Sequence, residues 1–70
     1  MIFSVTELAA YPGNKWRLRL CDKQTVARYT RMRTPTGPIV VNTDGFILDG
    51  LHRVAAAIAK GRAEIEGVRK

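Results

Sequence analysis

The stretch "PIVVNTDGFILDGLHRVAAAIAKG", residues 38–61, decides how this chain folds. Two short apolar, β-prone runs, "IVV" and "FIL", flank the turn residues "NTDG", which is the pattern of a hairpin. Asp44-Gly45 is expected to supply the positive φ values that a tight turn requires. Asp49-Gly50 then closes the second strand and opens a helix, in which Leu51, Val54, Ala55 and Ile58 recur at i, i+3, i+4 and i+7. Arg53 and Lys60 fall roughly opposite that apolar stripe, and Gly61 is the natural C-terminal stop.

Upstream, residues 2–5, "IFSV", are β-branched or aromatic enough for a short strand. A turn or short helix follows through "TELAAY" and ends at Pro12-Gly13-Asn14. "KWRLRL", residues 15–20, alternates strictly between apolar and basic positions. It reads either as a half-buried strand with a basic outer face or as an irregular lead-in to the next helix. Asp22 is an expected N-cap for "KQTVARYTRMR", where Val26, Tyr29 and Met32 recur at helical spacing. That helix should stop before Pro35, and "TPTGP" is a loop. Downstream of Gly61, "AEIEGV" alternates as a last short strand.

Seventy residues make one small domain, residues 1–70, able to bury only about 60% of the surface its unfolded chain would expose. Its 46% hydrophobic and 26% charged residues exclude the composition of a disordered chain. The single cysteine, Cys21, rules out an internal disulfide and a cysteine-rich zinc site, and it reads as a small packed residue or unreactive thiol. The opening residues lack the basic start and uninterrupted apolar run of a signal peptide, so a cytoplasmic location and no membrane partner are expected.

The charge is uneven. Of twelve basic residues, seven lie between Lys15 and Arg33 beside one acid, Asp22, so the whole net charge of +6 belongs to that segment. Such a field suits polyphosphate, nucleic acid or an acidic protein, with a merely solvated face as the alternative.

The start of the helix after the hairpin is the other place where chemistry gathers. The first amides of a helix are unpaired and carry partial positive charge. Gly50 would let a ligand approach the backbone, Arg53 can offer a planar fork of donors, and His52 adds a ring donor or acceptor. The alternative is an ordinary capped helix: Asp49 would accept from the amide of residue 51 or 52, contribute about 1 kcal/mol, and repel an anion.

Residues 38–61 resemble the ParB N-terminal domain and sulfiredoxin superfamily, in which a Pro-Ile-Val-Val strand, a hairpin and an Asp-Gly-x-His-Arg helix start occur in this order. Weaker similarity runs upstream through residues 5–8, 14–17 and 22–33. The resemblance implies an α+β fold, a small mixed β-sheet with two to three helices. It also implies binding of nucleotide phosphates by Gly50, His52 and Arg53, with Asp49 ordering the turn or assisting a metal. The implied ligand is a nucleoside triphosphate, CTP or ATP with magnesium, in a setting of DNA partition or phage and plasmid DNA metabolism. Leu51 stands where a sulfiredoxin carries its catalytic cysteine, which argues against peroxiredoxin repair. Gly50-Leu51-His52-Arg53 replaces the Gly-Glu-Arg-Arg usual in partition proteins, and no helix-turn-helix domain is expected. A nucleotide hydrolase or phosphotransferase activity stays open, although Glu7 is the only acid before Asp22 to serve as a base.

Two other functions compete. Lys15, Arg17, Arg19, Arg28 and Arg31 could line a phosphate backbone in a sequence-nonspecific nucleic-acid binder. Alternatively, a chain this short could be an oligomerising module, a homodimer that completes its core with a second copy.

Overall fold

The computed structural model describes residues 1–31 and 37–70. In chain order the elements are β1 (Ile2–Ser4), α1 (Val5–Ala10), α2 (Pro12–Arg19), α3 (Lys23–Arg31), β2 (Ile39–Val41), β3 (Ile47–Asp49), α4 (Leu51–Ala59) and β4 (Glu64–Arg69). The fold is α+β, as expected. The helix end foreseen near residue 33 and most of the 34–38 loop lie outside the described residues.

Strands of three residues hold together only by sharing a sheet. The four pair in the order β1-β4-β2-β3. β4 pairs antiparallel with β1 and parallel with β2, and β2 pairs antiparallel with β3. A parallel neighbour demands a crossover, which α4 supplies between the hairpin and β4.

One sheet face is the core. Phe3, Ile39, Val41 and Ile47 meet Leu8 and Val54 there, and Ile39, Val41, Ile47 and Val54 are wholly buried. Each such side chain contributes about 1.5–3 kcal/mol relative to exposure. Gly67 is glycine because Ile39 fills its space: an added Cβ would sit 2.6 Å from Ile39 Cγ1. The opposite face, with Ile2, Glu66 and Val68, is exposed.

Four helices stand among the described residues where two to three were expected, because residues 15–20 are neither strand nor irregular lead-in. Residues 15–19 belong to α2 and Leu20 is its C-cap; Pro12 starts the helix at its first turn, where the missing N–H costs nothing. Long-range bonds override the alternation. Asn14, fully buried, donates through Nδ2 to Leu8 O and Gly45 O at 2.9 Å each, and its Oδ1 accepts from Ile47 N at 3.0 Å. One helical turn later, Arg17 Nη1 donates to Ile47 O at 2.9 Å. These two side chains satisfy both backbone groups of Ile47 on the edge strand β3, as a neighbouring strand would. Phe46 completes the seam: it meets Tyr11 edge-on at 6.5 Å and lies 4.3 Å beneath the Arg17 guanidinium.

The hairpin forms as read, with one correction. Among the described residues no non-glycine residue has positive φ, so Gly45 at +100° bends the turn without Asp44. Asn42 stabilises the turn instead, its Oδ1 accepting from Asp44 N and Phe46 N at 2.9 Å.

α4 ends as its sequence requires. Gly61 has φ +71°, its N–H reaches Ile58 O, and Arg62 N reaches Ala57 O, which is a Schellman closure. The burial stripe differs from expectation. Ile58 is 44% exposed, whereas Ala56 and Ala57 are buried. α4 lies between the sheet and α3, so small residues are covered where the helix is closely approached on more than one side.

The candidate site at the start of α4

Gly50 is the N-cap of α4, with φ 93° and ψ 23° in the left-handed region, and no side chain caps the helix. The expected Asp49 cap is therefore absent, and the amides of Leu51, His52 and Arg53 precede the first helical bond, Val54 N to Gly50 O. The left-handed Gly50 directs the chain from β3 into α4 without an extended capping residue.

Gly50 is glycine for an internal reason. A Cβ there would meet Ile39 Cγ2 at 2.6 Å, so the packed Ile39 side chain occupies the space assigned above to an approaching ligand. Positive φ and this close approach both exclude a larger residue.

His52 and Arg53 also have partners within the chain. His52 Nε2 accepts from Asp22 N at 3.3 Å, which ties α4 to the start of α3. An accepting Nε2 assigns the proton of the neutral ring to Nδ1, which stays a donor. Arg53 Nη1 donates to Gly37 O at 3.2 Å and to Pro38 O at 2.9 Å, fixing the lead-in to β2. Both Nη1 protons are thereby used, while Nη2 lies 3.8 Å from Asp49 Oδ2. The Asp49 side chain is 69% exposed, so that pair contributes about 0–1 kcal/mol and an anion could displace it at small cost.

Around this turn lies an open cavity of about 240 Å³, lined by Leu48, Asp49, Gly50, Leu51, His52, Arg53 and, from α3, Tyr29. The structure thus brings together all three expected phosphate contacts, Gly50, His52 and Arg53, with Asp49 at the rim. Tyr29 was legible only as a helix-packing residue, since nothing local links it to a turn twenty residues away.

The donor set bears on magnesium. Among the described residues no three His, Cys, Asp or Glu side chains are placed to hold a metal. Asp49 alone fits one ligand of an ion that triphosphate oxygens and water would otherwise surround.

Two groups nearby are shifted. Asp22 is held below the usual aspartate value, first by the Thr25 hydroxyl at 2.6 Å and then by the Thr25 amide at 3.0 Å, so Asp22 caps α3 as read. Burial pushes the Cys21 thiol up against the opposing influence of Arg17, and its Sγ donates to Arg17 O at 3.7 Å. A thiol held protonated is a poor nucleophile.

The basic residues divide. Lys15, Arg19, Arg28 and Arg31 are exposed, and Arg31 Nε donates to Ala27 O at 3.3 Å. Arg17 turns inward to β3 and leaves the exposed basic wall in which it was placed.

No protein-family model, curated protein or solved structure matches this chain. Among the described residues no helix is long and apolar enough to cross a membrane.

Proposed function

We propose that this chain is a minimal ParB-like module that takes the phosphate end of a nucleotide at the start of α4. One observation carries the reading: the uncapped first turn of α4 lines a polar cavity into which a pre-oriented arginine is set. Amides at a helix start favour an anion through their N–H groups and the helix dipole together. Arg53, anchored through Nη1, keeps Nη2 and Nε for a phosphate, and two carbonyls have already restricted its rotamers. His52 offers Nδ1–H as a further donor.

Size limits what enters. About 240 Å³ is below the usual 300–1,000 Å³ of pockets that enclose a whole organic ligand. Phosphates therefore go into the cavity and the nucleoside lies across its rim, with magnesium carried in by the phosphates and Asp49 as one ligand. Such a site distinguishes nucleotides weakly by base and strongly by phosphate.

Thermal shift with ATP, CTP and GTP, with and without magnesium, checks this against the matching nucleosides. A ligand at a hundred times its Kd adds about 2.7 kcal/mol, a rise of many degrees in a domain this small. The triphosphates should raise Tm and the nucleosides should not. Arg53→Ala, measured against its own baseline, should lose most of the rise. No rise with any nucleotide, or an equal rise in the variant, overturns the reading.

A further inference from the structure

The exposed arc of α2 carries an indole flanked by two cations. Lys15, Trp16, Arg19 and Leu20 all face away from the core, Trp16 at 58% and Leu20 at 73% exposure. The other side of α2 is committed to the fold through Asn14 and Arg17, so the bare indole is not a packing element. Lys15 and Arg19 stand one helical turn apart, about 6 Å along the axis.

α3 prolongs the charge. Lys23, Arg28 and Arg31 are exposed on its outer arc, while Thr25, Val26, Tyr29 and Thr30 are partly covered. Arg19 and Lys23 are four positions apart, no more than about 14 Å of chain. Asp22, the one acid in the tract, is engaged with Thr25. Among the described residues no carboxylate pairs with Lys15, Arg19, Lys23, Arg28 or Arg31.

We propose that this face binds single-stranded nucleic acid, with Trp16 as the stacking platform for a base and Lys15, Arg19, Lys23, Arg28 and Arg31 along the phosphates. Cations without carboxylate partners beside an exposed aromatic ring are the groups that grip a flexible polyanion with accessible base faces. A duplex hides those faces in its own stack, so Trp16 would add little to its binding. An acidic protein partner would seek an apolar centre depleted of charge, which five cations deny it. A membrane surface needs a broad apolar helix face, and here Trp16 and Leu20 stand among cations while the rest of α2 is spent on the core. This site is separate from the α4 cavity and survives if nucleotide binding there fails.

The test uses the full chain and its only tryptophan as reporter. Oligo(dT), oligo(U) and a duplex of equal length are titrated across a salt series, following Trp16 emission and the anisotropy of labelled strands. Single strands of either sugar should quench Trp16 and bind more tightly than duplex, and Trp16→Ala should weaken them by about tenfold. Lys15→Gln with Arg19→Gln should reduce the log–log salt slope by about 1.4. Circular dichroism unchanged in both exposed-site variants shows that the losses are not unfolding. The proposal is overturned by no binding at low salt, by equal binding of duplex with unchanged emission, by an unaffected Trp16→Ala, or by a Trp16 response to anionic vesicles alone.

Discussion

Arg17 and Arg19 are two residues apart on one helix, yet they belong to different parts of the molecule. Arg17 closes the edge of β3 and stacks on Phe46, and so acts as structure. Arg19 stands in solvent beside Trp16. The same contrast separates the start of α4 from the outer face of α2 and α3. At the start of α4, His52 and Arg53 have internal partners, which place them around a cavity and leave donors over. On the outer face the cations have no acidic partner among the described residues, and Arg31 is tied to a carbonyl of its own helix. A rigid, partly committed cluster suits one small ligand in one geometry. A loose row of charge suits a long one in many.

Substitutions can break or sharpen that contrast. Asn14→Ala should have the largest effect, because it strands Leu8 O, Gly45 O and Ile47 N at once. With about 1–3 kcal/mol for each buried unsatisfied group, urea unfolding should show a loss above about 3 kcal/mol. Gly50→Ala should come next, at about 2–3 kcal/mol, since it forces φ 93° on an alanine and drives its Cβ into Ile39. A Gly50→Ala protein of unchanged stability would contradict the internal role given to this glycine. His52→Ala should cost about 0.5–1 kcal/mol by freeing the Asp22 amide, with faster hydrogen exchange confined to the start of α3. Lys15→Gln and Arg19→Gln should change stability by less than about 0.5 kcal/mol.

Acid gives a further separation. The folded pKa of Asp22 is below its ordinary value of 3.8, so its capping contribution is fully present above that value and is lost as pH falls through the folded pKa. NMR of the first α3 amides should show fraying in acid, and Asp22→Asn should abolish that pH dependence.

Local sequence announced the elements whose causes are local. The hairpin, the Asp22 cap and the Gly61 stop each rest on residues within a few positions of one another, and each is found. α2 departs from its local pattern because its cause lies elsewhere. The alternation of residues 15–20 is real, but Asn14 and Arg17 hold to Ile47 across 33 and 30 residues, and those bonds require a helix. Pro12 is the local sign of this helix start, although a proline in that setting equally suits the end of the preceding element. At the site, Gly50, His52 and Arg53 stand within four positions of one another, so their meeting around one turn is legible. Their internal partners were not legible, because Ile39, Asp22, Gly37 and Pro38 reach them only through the fold.

The role of the α4 cavity turns on whether the uncapped helix start accepts an anion. Titration of the 15N-labelled protein with inorganic pyrophosphate at physiological salt, followed by amide and arginine Nε–H shifts, tests it without reference to any base. Saturable shifts at Leu51, His52, Arg53 and the Arg53 Nε–H, with the amides of α2 and of the exposed α3 residues Arg28 and Arg31 unmoved, are the predicted result. Absence of shifts at residues 51–53, or shifts confined to α2 and α3, would contradict it.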